Sequence, residues 1–406
     1  MNGRRWRHAF TAGIALALVL GACSGGGPLA RNPRTPEVPS SGFQTLWETD
    51  LDALGVTLRE NWRGSLVGVS GETVILTGAD GTTVGVDLRT GSELWSTALL
   101  PVPMDKVVDP PTDSRVTPDP QTGYDDVIAP AFGTVYVTSS SSSNWTVALD
   151  PATGEILWAE VGFAPVIGPD FPYLFLSGEE QMHRVGPKTL ETLWSKAPNA
   201  FASAIADDLL VGVAHGSEEH FYGVDPQPVT ARSVKTGDMV WQTDGPTSPT
   251  DIVAEAEAGL AITLDEDGRL LALDTATGAR GWESSELVVS VDGQPLDAQP
   301  RLLGTNRRSL FVGVQDRGAA VVAISLTDGS RRLSGDLPLQ RKPLGSVEND
   351  RVLVTTPDYF QVLDPADGAV EASRGDLAGT AVMHGDIVCA VVREQEKNAL
   401  SCMELT

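Results

Sequence analysis

The chain has 406 residues and a formal net charge of −25, with 54 acidic side chains against 29 basic ones. Such a surface repels nucleic acid and anionic lipid headgroups, which excludes electrostatic binding to either. Its 41% hydrophobic and 20% charged residues exclude wholesale disorder, and one domain can use this length if the chain is an array of repeats, each packed on its neighbours.

The N-terminus opens with a basic segment, Arg4-Arg5-Trp6-Arg7-His8, followed by an apolar run from Ala9 to Leu20 and then Gly21-Ala22-Cys23. An apolar run of about a dozen residues is too short to span a bilayer but fits the core of a signal peptide. Small residues ahead of Cys23 resemble a bacterial lipobox, which implies that the Cys23 thiol receives diacylglycerol and becomes the new N-terminus. The alternative is an ordinary secretory leader in which Cys23 is incidental. Residues 1–22 are therefore expected to be a lipoprotein signal peptide. Ser24-Gly25-Gly26-Gly27-Pro28, followed by Pro33, Pro36 and Pro39, predicts a flexible tether over residues 23–41. The expected location is the extracytoplasmic face of the cell membrane, held there by the lipid.

From residue 42 onward one phrase recurs: apolar residues, Asp, two variable positions, Thr-Gly, three variable positions, Trp. It runs from Asp87 through Thr90-Gly91 to Trp95, and from Asp150 through Thr153-Gly154 to Trp158. Two further copies run from Ser233 through Thr236-Gly237 to Trp241, and from Asp274 through Thr277-Gly278 to Trp282. Degenerate copies end on Trp194, on Leu333 after Asp328-Gly329, and on Ala372 after Asp367-Gly368. Each reads as a strand, a tight turn with glycine in the left-handed region, and a return strand ending on a large aromatic. The aspartate at the turn entry accepts hydrogen bonds from amides further on.

Two more strand-like runs precede each phrase, giving four antiparallel strands, the content of one propeller blade. Successive phrases lie near the spacing of about 40 residues that such a blade needs. The widest interval, from Trp95 to Trp158, carries a Pro- and Asp-rich insertion, Pro101–Asp126.

Near the C-terminus Thr380–Met383, Ile387–Val391 and Leu400–Glu404 give three strands without a fourth. Thr45-Leu46-Trp47-Glu48 is a fourth strand without the other three. Joining them predicts an all-β fold over residues 42–406, an eight-bladed β-propeller of four-stranded antiparallel blades whose ring is closed by the N-terminal strand.

The repeated phrase resembles the PQQ-like β-propeller repeat family over roughly residues 43 to 406. In that family the tryptophan ending the fourth strand docks on the neighbouring blade, which implies this structural role for Trp47, Trp95, Trp158, Trp194, Trp241 and Trp282. Leu333 and Ala372 depart from the pattern, which implies looser docking of their blades. Leader, tether and repeats together are also similar to the propeller lipoproteins of β-barrel assembly machineries, which implies a role in envelope assembly where the host has an outer membrane.

The family includes quinoprotein dehydrogenases, which hold PQQ and Ca²⁺ on the axis beside an adjacent-cysteine disulfide. Here the cysteines are Cys23, Cys389 and Cys402, no two adjacent. No cofactor, metal or catalytic residue is expected, and the reading is a non-catalytic protein-binding scaffold in the cell envelope. The alternative is a ligand-binding or PQQ-dependent redox propeller.

Cys389 and Cys402 fall on the second and third strands of the last blade, around a turn near Glu396-Lys397-Asn398. Cross-strand neighbours can meet disulfide geometry, and export lets the bond form; two buried thiols are the alternative. His215-Gly216-Ser217-Glu218-Glu219-His220 groups metal-ligand types without motif spacing. Asp265-Glu266-Asp267-Gly268 lacks the remaining ligands of a Ca²⁺ loop. Both read as surface turns. Pro101–Asp126 is the candidate partner-binding loop, disorder being the equal alternative. An envelope or secreted protein is the expected partner of a monomeric chain, and no nucleic acid partner is expected.

Overall fold

The structure is a computed structural model that describes residues 41–406 apart from the connections 59–66, 100–105, 108–125, 129–132, 140–144, 162–163, 168–173, 178–181, 198–199, 215–227, 244–250, 265–268, 286–289, 292–293, 296–299, 338–343, 349–350, 357–358 and 395–396 and positions 79, 187, 190 and 317. The expected signal peptide, Cys23, the tether up to Ser40, the His215–His220 cluster and the Asp265–Gly268 turn lie outside the described residues. Of the Pro101–Asp126 insertion, Lys106, Val107 and Asp126 are described.

Among the described residues every regular element longer than a turn is a strand, and these form eight four-stranded antiparallel sheets and one two-stranded hairpin. Strands within a sheet follow chain order in the first seven. The first sheet runs Val67–Ser70, Thr73–Thr77, Thr82–Asp87, Glu93–Ala98, and the second Asp126–Ile128, Val135–Ser139, Trp145–Leu149, Ile156–Val161. The third comprises Ala164–Ile167, Leu174–Ser177, Met182–Val185 and Thr192–Lys196; the fourth Ala200–Ala206, Leu209–Ala214, Val229–Ser233 and Met239–Gln242. The fifth holds Asp251–Glu255, Leu260–Leu264, Leu270–Asp274 and Arg280–Ser284, and the sixth Arg301–Thr305, Ser309–Asp316, Gly318–Ser325 and Arg331–Leu337. Leu344–Glu348, Arg351–Thr355, Tyr359–Leu363 and Val370–Gly375 make the seventh.

The eighth sheet departs from chain order. Leu377–His384, Ile387–Glu394 and Lys397–Leu405 are followed by Phe43–Asp50, which pairs antiparallel with Lys397–Leu405 from Phe43↔Leu405 to Asp50↔Ala399. All four strands extend beyond the runs expected from sequence, because hydrogen-bonded pairing continues past the last apolar residue.

Middle strands are buried on both faces, as in Thr73–Thr77 and Tyr359–Leu363, where every residue is buried. Outermost strands alternate instead. In Glu93–Ala98 only Trp95 is buried, the pattern of a strand with one face on a core and one in water. The cores lie between successive sheets. One cluster joins Ile75 and Trp95 of the first sheet to Val137 and Val147 of the second. Another joins Leu264 and Leu270 of the fifth to Val312 and Val322 of the sixth.

Trp47, Cys389 and Cys402 of the eighth sheet share a cluster with Val67, Val74 and Val84 of the first. Innermost strands touch in the same succession: first with second, third with fourth, and on through seventh with eighth, while the eighth touches the first; the second and third meet through Trp145–Leu149 and Ala164–Ile167.

Candidate functional site

The repeated phrase builds a joint between sheets. Its aspartate folds the turn: Asp87 Oδ1 accepts from the amides of Arg89 and Thr90 and from the Thr90 hydroxyl at 3.1, 2.8 and 2.8 Å. The Thr90 hydroxyl and amide hold the Asp87 carboxyl below its ordinary value of 3.8. Thr277 does the same for Asp274, and the Ser330 hydroxyl and amide for Asp328. A turn closed this way carries its glycine into the left-handed region, φ 71° at Gly91 and 69° at Gly154.

Where the preceding sheet ends on tryptophan, the glycine lies against it. A Cβ on Gly91 would fall 2.6 Å from Trp47 Cδ2, one on Gly237 2.7 Å from Trp194 Cδ2, and one on Gly278 2.6 Å from Trp241 Cε3. Only glycine allows that approach. The indole N–H then donates to a carbonyl of the same turn: Trp47 to Leu88, Trp95 to Pro151, Trp194 to Val234, Trp241 to Thr275 and Trp282 to Leu326, over 2.6–2.9 Å. A buried indole N–H needs such a partner.

The joint to the third sheet differs, because that turn has Thr189-Leu190 where the clean copies have Thr-Gly and the copies at Asp328-Gly329 and Asp367-Gly368 keep the glycine. Trp158 is nonetheless buried and packs on Tyr136, ring centroids 5.8 Å apart. Burial raises the Tyr136 phenol well above its ordinary value. Ala372, expected to mark a looser joint, is fully buried with Gly42 against it.

Sequence reasoning missed two arginines. Arg184 lies opposite Trp194, where other sheets place the small residues Gly85, Ala148, Ala231 and Ala272 opposite their tryptophans. Its Nη1 donates to Val234 O at 3.0 Å, the carbonyl that also accepts from Trp194. Arg232 is buried and donates to Gly237 O at 3.0 Å and Ala197 O at 2.7 Å; burial lowers its pKa. A cation at a register position that other sheets fill with an apolar residue, small at Arg184 and Val or Leu at Arg232, was the signal available in the sequence.

Cys389 and Cys402 stand directly opposite each other in the eighth sheet, are fully buried and are joined as a disulfide. Of the insertion after the first sheet, Val107 is buried against Trp95, Leu99, Ile156 and Ala159, and pairs in parallel with Ala159 on the outer edge of the second sheet. Lys106 beside it bonds Glu155 at 3.2 Å. Among the described residues no group of three or more His, Cys, Asp or Glu side chains is placed to hold a metal ion, and no helix is long and apolar enough to cross a membrane. The described site residues are brought together pairwise, at the joints, and not into one cluster.

The family described as outer membrane protein assembly factor BamB matches residues 42–162 and 142–371. The chain belongs to this family of propeller-like PQQ repeat proteins. Solved structures share the fold at low identity. The computationally designed Ika8 protein is 13% identical over 87% of this chain and 99% of its own, with a TM-score of 0.57. The quinohemoprotein alcohol dehydrogenase of Comamonas testosteroni is 13% identical over 90% of this chain and 76% of its own, TM-score 0.58. A europium-containing methanol dehydrogenase is 13% identical over 89% and 93%, TM-score 0.55. No curated protein matches the chain.

Proposed function

We propose that the eight four-stranded sheets are the blades of one ring closed by the N-terminal strand, and that this ring is a non-catalytic scaffold for protein partners. In this reading residues 1–22 are the leader, 23–41 the tether and 42–406 the propeller. Diacylglycerol on Cys23 holds it to the extracytoplasmic face of the cell membrane.

The observation that carries the scaffold reading is the use to which the polar side chains are put. The repeat aspartates bind their own turns, the indoles bind neighbouring carbonyls, and Arg184 and Arg232 bind backbone oxygens. These groups are committed to joining sheets, which leaves recognition to the connections between strands, where binding surfaces on rigid scaffolds usually lie. The family's description as an assembly factor supports a protein partner, and a buried disulfide supports an oxidising compartment. The acidic surface favours a basic partner.

Cross-linking in cells followed by mass spectrometry tests the scaffold. A specific envelope or secreted protein should be recovered with the full chain, and recovery of none removes the reading. Addition of PQQ and Ca²⁺ to the purified protein should leave its absorbance that of free quinone. A bound quinone band with alcohol-dependent dye reduction would instead establish a redox propeller. Cys23→Ala should release the protein from the membrane fraction.

A further inference from the structure

The seventh sheet breaks the repeat at the position where six of the eight sheets present tryptophan. Ala372 stands there opposite Val362, fully buried. Its surroundings are filled by three residues from the other end of the chain. Ser41 and Ser373 exchange both backbone hydrogen bonds, N–H to O, each at 3.0 Å, with their hydroxyl oxygens 3.4 Å apart. Gly42 follows with φ 73°, and its Cα sits so close to the outermost strand of the seventh sheet that a Cβ would fall 2.2 Å from Glu371 O and 2.9 Å from Ala372 Cβ. Phe43 then sets its ring edge-on to Phe360 of the seventh sheet, centroids 5.5 Å apart, while its backbone pairs with Leu405 of the eighth.

Within three residues the chain passes from an edge bond on one sheet to a strand of the next. A left-handed glycine pressed against the tryptophan position repeats what Gly91 does to Trp47 and Gly278 to Trp241. Here the preceding side chain is a methyl, and the aromatic is supplied from the incoming side. Arg374 ties the same boundary, donating to Ser401 Oγ at 3.1 Å and to Glu48 Oε2 at 3.3 Å.

We propose that Ser41-Gly42-Phe43 is a strap that locks the seventh sheet to the eighth in place of the missing tryptophan. Ala372 is small because the strap occupies the space into which an indole would emerge. A Trp at this position would restore the repeat and expel the strap, so the consensus residue is the wrong one for this sheet.

This rests on the ring closure proposed above, and amide hydrogen exchange on the full chain separates the two. The Ser373 amide donates to Ser41 O and reports on the strap; the Leu51 amide donates to Asn398 O at 3.0 Å and reports on the closing strand; the Val234 amide, bonded to Asp208 O at 2.8 Å, is a remote control. Ala372→Trp should speed exchange at Ser373 at least tenfold and lower the melting temperature, with Val234 unchanged. Ser41→Pro removes one donor at the edge without touching the core, and should speed Ser373 exchange several-fold while the chain stays folded. An Ala372→Trp protein that melts at or above the wild-type temperature with Ser373 protected overturns the strap, as does a Ser41→Pro protein with unchanged Ser373 exchange. Fast exchange at Leu51 in the wild type would overturn the closure itself.

Discussion

Trp95 donates its indole N–H to Pro151 O at 2.8 Å, and the same ring lies where Gly154 lacks a side chain, so that a Cβ there would meet Cε3 at 2.4 Å. Tryptophan and glycine are two halves of one contact across a sheet boundary. Either half can therefore break it.

Gly154→Ala should approach the damage done by truncating the ring, since it adds both a clash and a strained left-handed alanine. Trp95→Ala is expected to lower stability by about 3–5 kcal/mol, and Gly154→Ala by roughly 2–4 kcal/mol. Urea unfolding followed by tryptophan fluorescence measures both. A neutral Gly154→Ala would show that the turn can back away from the indole.

Trp194→Phe should cost less than Trp95→Phe. Val234 O keeps the Arg184 guanidinium as a donor when the indole N–H is removed, whereas Pro151 O loses the indole donor at its joint. The difference expected is about 1 kcal/mol, the worth of one hydrogen bond. Equal losses, measured by the same unfolding curves, would mean that Arg184 does not hold that carbonyl on its own.

Reduction of Cys389–Cys402 should destabilise the eighth sheet. The bond closes a loop of sequence separation 13, for which chain entropy gives about 3 kcal/mol. The unfolding midpoint should fall on adding reductant, and reductant should leave a Cys389→Ala/Cys402→Ala variant unmoved. The closing strand Phe43–Asp50 is outside this loop and is held by its pairing with Lys397–Leu405 and by the docking of Trp47 on the first sheet.

Acid should loosen the joints through the turn aspartates. Asp87 and Asp274 are held below 3.8 in the folded protein by threonine hydroxyls and amides. A carboxyl lowered on folding stabilises the fold above its unfolded value and loses that contribution as pH falls through its folded value. The melting temperature should be insensitive to these groups above pH about 5 and fall below pH about 4. Asp274→Asn should flatten that acid limb while lowering stability at neutral pH.

Much of this architecture is written locally in the chain. Asp and Thr-Gly are neighbours in sequence because the turn they make is local, and because the phrase repeats, the joints at Gly91, Gly154, Gly237 and Gly278 can be read by setting each glycine against the tryptophan that ends the sheet before it. What joins the phrases is distant. Ser41 meets Ser373 across 332 positions, and no periodicity marks a lone serine that ends a Pro- and Ser-rich stretch. Val107 is hidden for the same reason, being one buried side chain inside a polar insertion. Ala372 was legible as a departure from the repeat, but its meaning depended on Gly42. Arg184 breaks the pattern visibly; which carbonyl it binds follows from the neighbouring sheet.

Thr406 donates its amide to Gly42 O at 3.1 Å, so Gly42 and Thr406 meet side by side where the outermost strand of the eighth sheet pairs with its neighbour. Such a fold has no intrinsic starting point. A short linker from Thr406 to Gly42, with new ends cut at the exposed Gly71-Glu72 turn, should give a circular permutant with the same sheets, in which the eighth is built from contiguous sequence and the first becomes the one shared between the termini.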